Sequence, residues 1–132
     1  MASPEARAVR ILLVDDHADT RESLRRMLTR RGFEVRVAGC CADALLAAAE
    51  MSAGRLDVVV SDVGLPDGDG VELMRTIMTR HGCRAVALTG WGDVEDLRRY
   101  AQAGIDRSLV KPIDVASLLT ALEAVIDGAR QA

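Results

Sequence analysis

The chain reads DVVVSDVGLPDGDG from Asp57 to Gly70, where three consecutive valines lead into a segment rich in glycine and proline. An apolar run without alternation is typical of a strand that is buried on both faces. The glycine and proline residues that follow it predict a loop. Asp62 therefore lies where a buried strand ends, and ligands of open α/β sheets bind just outside the carboxyl ends of the strands.

Three further apolar runs end in polar residues in the same way. The strands predicted from these runs, each with the polar residues that follow it, are 9–14 with Asp15 and Asp16, 85–88 with Thr89, and 108–110 with Lys111. If the sheet is parallel, all these side chains and Asp62 meet at one edge of it. The sequence thus predicts one shallow site with three carboxylates, one hydroxyl group and one ammonium group.

Helical patterns alternate with the strands along the chain. Apolar spacing predicts strands over 33–38 and 56–61 besides the three above, and helices over 18–31, 42–51, 71–80, 94–103 and 115–126. Such alternation is typical of a parallel sheet with helices on both faces. We predict an α/β fold, a single doubly wound five-stranded parallel sheet of flavodoxin-like order 2-1-3-4-5 with five helices.

Composition excludes several classes of protein. The 132 residues suffice for one domain, and because only three of them are aromatic, its core must be aliphatic. The net charge of −3 and the dispersed arginines predict no binding of nucleic acid through this domain. No apolar run approaches the roughly 20 residues of a membrane helix. Three cysteines without metal-binding spacing indicate a reducing compartment, and we expect a cytoplasmic protein.

Four motifs of this chain together resemble those of a response-regulator receiver domain, the phospho-accepting module of two-component signalling. They are LLVDDH at 12–17, VVVSDVGLPDGDG at 58–70, LTG at 88–90 and LVKP at 109–112. The resemblance covers residues 9–127 and leaves 1–8 and 128–132 as tails. ALTGWGDVEDLRRYAQAGID at 87–106, followed by SLVKPID, is most similar to the receivers of hybrid sensor histidine kinases.

The resemblance implies a role for each residue of the predicted site. Asp62 would be the phosphoacceptor, Thr89 would hydrogen-bond the phosphoryl group, and Lys111 would pair with a phosphoryl oxygen. The implied ligands of Mg²⁺ are Asp62 and Asp16, the backbone carbonyl of Gly64 and, mainly through water, Asp15. The resemblance also implies a cis peptide bond between Lys111 and Pro112.

Physical chemistry supports these roles independently. Adjacent carboxylates repel unless a cation joins them or one takes a proton, and Mg²⁺ accepts carboxylate and phosphate oxygens together. Phosphoryl transfer requires positioning and neutralised charge, and an aspartate can act as its nucleophile. Lys111 is the only lysine among 17 basic residues. Its compact ammonium group suits a phosphoryl oxygen, although a bias towards arginine codons could also have left one lysine by accident.

We therefore predict a receiver that takes a phosphoryl group from a histidine kinase or a histidine phosphotransfer protein. It would catalyse only its own phosphorylation and dephosphorylation. Two alternatives stay open: a small Mg²⁺-dependent phosphohydrolase with an aspartyl nucleophile, and a pseudo-receiver that binds partners without phosphorylation. The residues also leave open the cognate kinase, the signal, the output, the oligomeric state, and whether the domain stands alone or belongs to a hybrid kinase.

The chain departs from the receiver pattern near the fifth strand. Receivers commonly carry tyrosine or phenylalanine three residues before the site lysine, where this chain has Ser108. Our hypothesis is that the loop of Trp91, the only tryptophan, reports phosphorylation instead. The alternative is that Trp91 points to solvent or packs on a partner. We interpret Tyr100 as a packing residue of its helix and His17 as a solvated loop residue.

Overall fold

Strands and helices alternate along the chain in the computed structural model, which describes residues 8–90 and 94–131. In chain order the elements are β1 (Arg10–Val14), α1 (Ala18–Arg30), β2 (Glu34–Ala38), α2 (Cys41–Met51), β3 (Val58–Asp62), β4 (Gly64–Leu65), β5 (Gly68–Asp69), α3 (Gly70–His81), β6 (Arg84–Thr89), α4 (Val94–Gln102), β7 (Arg107–Val110) and α5 (Val115–Gln131).

Five of the strands form one parallel sheet in the order β2-β1-β3-β6-β7. Counted along the chain, these five strands have the predicted order 2-1-3-4-5, so the predicted fold class is confirmed. The central strand β3 is buried at every residue, as its unbroken apolar run indicated. The edge strand β2 alternates between more and less exposed residues, which is the pattern of a strand with one covered face.

Two aliphatic clusters cover the two faces of the sheet. One cluster joins the sheet to α1 and α5 and includes Leu28 and Leu122, which are 1% and 0% exposed. The other joins it to α2 and α3 and includes Ala48 and Met74. Full burial of one such aliphatic side chain stabilises a fold by roughly 1.5–3 kcal/mol. The core is therefore built from many small aliphatic contributions on both sides of the sheet.

Two features of the fold differ from the prediction. The segment after β3 is not only a loop: β4 and β5 pair in a short antiparallel ribbon, with Gly64 opposite Asp69. Helix α5 continues to Gln131 rather than ending at 126. Neither feature has an apolar repeat in the sequence, because a two-residue strand is too short for one and the sequence DGARQ at 127–131 does not continue the apolar stripe of α5. The division into a domain at 9–127 with two tails stays a prediction.

Among the helices within 8–90 and 94–131, none combines the length and the apolar composition that crossing a membrane requires. Cys40, Cys41 and Cys83 are all free thiols.

The ribbon folds back onto the end of β3 at Gly70, the first residue of α3. The Gly70 amide donates a hydrogen bond to the Val63 carbonyl over 2.7 Å. A Cβ atom at Gly70 would lie 1.9 Å from the backbone oxygen of Asp62, far inside van der Waals contact. Asp69 accepts a hydrogen bond from the Val71 amide and thereby caps α3 at the same point. Only glycine therefore allows α3 to begin this close to Asp62.

We predict that Gly70→Ala lowers the melting temperature, because the added methyl group forces the Asp62 backbone or the start of α3 to move. Overpacking of this kind costs typically about 1–3 kcal/mol. Gly64→Ala is the matched control, since nothing lies within 4 Å of a Cβ atom at Gly64. Thermal unfolding of both variants tests the prediction, and equal melting temperatures would contradict it.

Candidate functional site

Four parallel strands deliver polar side chains to one edge of the sheet, as the sequence predicted. Asp62 and Thr89 are the last residues of β3 and β6, and the other members follow β1 and β7 directly. An open pocket of about 190 Å³ lies at this edge. Its polar and glycine lining consists of Asp16, His17, Asp62, Gly64, Thr89, Gly90 and Lys111.

Asp15 lies beneath this pocket and is fully buried. Its Oδ1 accepts a hydrogen bond from the His17 amide over 2.8 Å, and its Oδ2 accepts one from Lys111 Nζ over 3.3 Å. Burial on its own would raise the pKa of Asp15, but the His17 amide, Asp62 and Lys111 outweigh it and hold the pKa below its ordinary value. Asp15 is thus the carboxylate that stays ionised.

Asp62 is 4% exposed, and its pKa is shifted in the opposite direction from that of Asp15. Burial, together with the neighbouring Asp15, raises its pKa to about 6, although Lys111 opposes the rise. Lys111 Nζ lies 2.6 Å from Oδ1, yet neither oxygen of Asp62 accepts a well-oriented hydrogen bond from the described residues. Buried polar atoms are nearly always satisfied, so these two oxygens are positions for a ligand.

Among the described residues, Lys111 is the one cation in contact with both buried carboxylates. Its ammonium group bridges Asp15 and Asp62, and its backbone amide donates to the Thr89 carbonyl over 2.7 Å. Burial lowers the pKa of Lys111, but the two carboxylates prevail and raise it, so the side chain is charged. The predicted cis peptide bond between Lys111 and Pro112 is confirmed.

The acidic side chains form a set that could hold a metal ion. Asp15, Asp16, His17 and Asp62 each offer one ligand atom, and these atoms lie within 4.8 Å of one another. Three clustered carboxylates, of which Asp62 has two buried oxygens without a hydrogen-bond partner among the described residues, suit a hard divalent cation such as Mg²⁺ or Ca²⁺. Gly64, the other predicted ligand, is exposed and lines the same pocket.

His17 belongs to this cluster, although the sequence suggested only a solvated loop residue. Its side chain is 70% exposed, in agreement with that interpretation. Its Nδ1 nevertheless lies 3.3 Å from Asp15 Oδ1 and 3.2 Å from Asp16 Oδ1. The sequence held one signal for this contact, namely that His17 directly follows the acidic pair.

Thr89 has a neighbour that the sequence did not predict. Thr89 is 6% exposed, and its Oγ1 accepts a hydrogen bond from the Tyr100 hydroxyl over 3.2 Å. Tyr100 is buried, so its interpretation as a packing residue is confirmed, but its hydroxyl group also reaches the site. Trp91, to which we assigned the conformational report, lies outside the described residues. Ser108 lies on β7 beside Ala87 of β6.

The raised pKa of Asp62 predicts how stability depends on pH in metal-free buffer. Folded Asp62 keeps its proton up to about pH 6, whereas the unfolded carboxyl group loses it near the ordinary value of 3.8. The folded state binds more protons between these values, so the free energy of unfolding falls as pH rises through this range. Asp15 titrates below it, because its pKa is lowered.

We expect Asp62→Asn to abolish this fall and Asp43→Asn, a substitution at an exposed position of α2, to retain it. Urea unfolding of the three proteins at several pH values with a chelator present makes the measurement. A stability difference between wild type and Asp62→Asn that stays constant from pH 3.8 to 6 would contradict the pKa assignment.

Comparison of the sequence with protein families agrees with this geometry. The profile of the response regulator receiver domain matches residues 11–123. The chain is 36% identical to the transcriptional regulatory protein PrrA of Mycobacterium tuberculosis over 118 residues, which are 89% of this chain and 49% of that protein. It is 35% identical to the response regulator MprA of the same organism over 120 residues, 90% of this chain and 51% of MprA. The chain thus spans about half the length of the curated relatives it matches.

Solved structures have the same fold. A CheY-like response regulator receiver domain protein from Methanospirillum hungatei JF-1 is 26% identical, with a TM-score of 0.83 over 95% of this chain and 99% of that one. A response regulator protein from Burkholderia pseudomallei is 29% identical, with a TM-score of 0.79 over 94% of this chain and 73% of that one. That structure contains a phosphorylated aspartic acid, a calcium ion and citrate. From the profile match, the relatives and the shared fold, it follows that this chain belongs to the family of response regulator receiver domains.

Proposed function

We propose that this receiver accepts a phosphoryl group on Asp62 from a phosphohistidine of a histidine kinase or a histidine phosphotransfer protein. The observation that carries the proposal is the state of Asp62. Its oxygens are buried and lack well-oriented hydrogen bonds from the described residues, and Asp62 lines an open pocket. Its Oδ1 lies 2.6 Å from Nζ of Lys111, the only lysine of the chain. A carboxylate held in this way is available as a nucleophile and has a cation beside it.

In the proposed reaction, an oxygen of ionised Asp62 attacks the phosphorus atom. A new P–O bond forms while the P–N bond of the phosphohistidine breaks, and the electron pair of that bond stays on the imidazole nitrogen. Lys111 would pair with a phosphoryl oxygen, and the Thr89 hydroxyl would donate a hydrogen bond to another. Neutralised charge and fixed geometry are the main requirements of such a transfer.

The residues of the pocket also fit Mg²⁺ as the cofactor. In the proposal, Asp16 and Asp62 would bind the ion directly, the Gly64 carbonyl would complete the protein ligands, and Asp15 would act mainly through water. When bound, the ion supplies positive charge for the phosphoryl oxygens, which Lys111 alone does not balance. The Burkholderia pseudomallei structure contains both a phosphorylated aspartic acid and a calcium ion, which supports phosphorylation together with a divalent cation.

The proposal extends to the wider behaviour of the chain. The receiver would catalyse its own phosphorylation and dephosphorylation and turn over no outside substrate. Its partners would be proteins, with no nucleic acid bound through this domain, and a cytoplasmic location stays a prediction. The curated relatives include transcriptional regulators, so an output in gene regulation through another domain or protein is compatible with the proposal.

Incubation with acetyl phosphate and Mg²⁺ tests the phosphoacceptor. We expect a mass gain of one phosphoryl group that is labile to hydroxylamine, because an acyl phosphate reacts with that nucleophile. Asp62→Asn should show no gain. Asp67→Asn is the matched control, since Asp67 lies in the same segment but accepts hydrogen bonds from the amides of Cys41 and Ala42 instead of lining the pocket. Equal incorporation in Asp62→Asn would refute the assignment, and continuous phosphate release from a phosphomonoester would favour a hydrolase.

A second experiment tests the metal through stability. Mg²⁺ that binds only the folded site should raise the melting temperature, by the equivalent of about 2.7 kcal/mol at about a hundred times its dissociation constant. Asp16→Asn should lose most of this shift because it removes a direct ligand. Asp43→Asn should retain it, since Asp43 lies on the exposed side of α2. A wild-type protein without any shift in Mg²⁺ would indicate a pseudo-receiver.

A further inference from the structure

Tyr100 connects α4 to the site through one buried hydrogen bond. The side chain is 3% exposed, and its hydroxyl donates to Thr89 Oγ1 over 3.2 Å. A tyrosine hydroxyl that is buried needs a polar partner, and α4 could have met the packing requirement with phenylalanine or leucine. The partner here is the last residue of β6, which lines the pocket together with Asp62 and Lys111.

The small residue Ser108 on the neighbouring strand β7 explains why α4 carries an aromatic residue at position 100. Ser108 of β7 pairs with Ala87 of β6, and side chains paired in this way project from the same face of a sheet. Ala87 belongs to the buried cluster that also contains Tyr100. An aromatic ring at position 108 would therefore enter the layer in which the Tyr100 ring packs, so the small Ser108 and the large Tyr100 are complementary.

The direction of the hydrogen bond matters for Thr89. A threonine hydroxyl has one hydrogen to donate and two lone pairs that accept. Because Tyr100 donates, it occupies a lone pair of Oγ1 and does not use the hydrogen of the Thr89 hydroxyl group. It also fixes the position of Oγ1 relative to Asp62 and Lys111. A fixed donor at this point stabilises charge that develops on a phosphoryl oxygen.

We propose that Tyr100 is a positioning residue, which orients the Thr89 hydroxyl towards the phosphoryl group on Asp62 and couples α4 to its presence. This inference rests on the proposed function and adds a residue to it. Tyr100 touches no reacting atom and acts only through Thr89. Phosphorylation would thereby reach α4 through a tyrosine of that helix rather than through a residue of β7.

The first test is a double-mutant cycle on the rate of phosphorylation by acetyl phosphate. Tyr100→Phe keeps the ring and should slow incorporation by about fivefold, the scale of one neutral hydrogen bond. In a Thr89→Val background, the same change should have no further effect. Ile105→Val is the control for packing, because Ile105 lies in the same cluster and its side chain is not part of the hydrogen bond. It should leave the rate unchanged.

The cycle separates this inference from the proposed function. A wild-type protein that takes no phosphoryl group overturns both. A wild-type protein that is phosphorylated at the same rate as Tyr100→Phe overturns the positioning role alone. Equal slowing by Tyr100→Phe with and without the Thr89 hydroxyl group would also overturn it, since that result assigns Tyr100 a structural role only.

A second measurement uses the native sequence and so does not depend on the folding of a variant at position 100. Tyr100 is the only tyrosine, so labelling with meta-fluorotyrosine gives a single fluorine resonance in NMR. We expect this resonance to shift when Mg²⁺ and beryllofluoride bind, and the shift should be absent in Asp62→Asn and smaller in Thr89→Val. An unchanged resonance in a wild-type protein that demonstrably binds beryllofluoride would refute the coupling.

Discussion

Two carboxylates with a single ammonium group between them determine the properties of this site. Asp15 and Asp62 are both almost completely buried, and within the part of the chain that the structure describes Lys111 is the one cation that touches both. Because burial penalises charge and like charges repel, the pair cannot ionise freely with one counter-ion. Asp15, with its additional amide hydrogen bond, holds the negative charge, and the pKa of Asp62 rises to about 6. The carboxylates of the site therefore carry more negative charge than Lys111 neutralises, and this excess favours the binding of a cation.

The parallel sheet is what brings these groups together, and small residues keep the edge open. The polar residues come from the ends of four neighbouring strands, where backbone direction alone places them on one edge. Gly70 lets α3 and the β4–β5 ribbon approach the Asp62 backbone without a clash. The backbone of Lys111 is fixed as well, through its hydrogen bond to the Thr89 carbonyl. Side chains that act on one ligand are thus held by rigid elements rather than by free loops.

Much of this arrangement could be predicted from the sequence, and the remainder depends on distances that no pattern contains. The alternation of strands and helices, with an edge-like second strand and buried first and third strands, predicted the strand order, and apolar runs that end in polar residues predicted the convergence of Asp62, Thr89 and Lys111. The β4–β5 ribbon was missed because two-residue strands leave no periodic signal. The hydrogen bond from the Tyr100 hydroxyl to Thr89 was not predicted, for a different reason. Helical spacing marks Tyr100 as a buried position, but it does not indicate which buried partner its hydroxyl group meets.

The contacts around Thr89 give charge at Asp62 a physical route to α4. A phosphoryl group on Asp62 would add negative charge beside Asp15, whose own charge is fixed by its lowered pKa. Lys111 already pairs with both carboxylates, so some of the phosphoryl oxygens must accept hydrogen bonds from neutral donors. Thr89 is the hydroxyl group at this edge, and its Oγ1 is bonded to Tyr100 in the last turn of α4. Any shift of that oxygen towards the phosphoryl group changes this buried hydrogen bond, and the change reaches the helix through Tyr100.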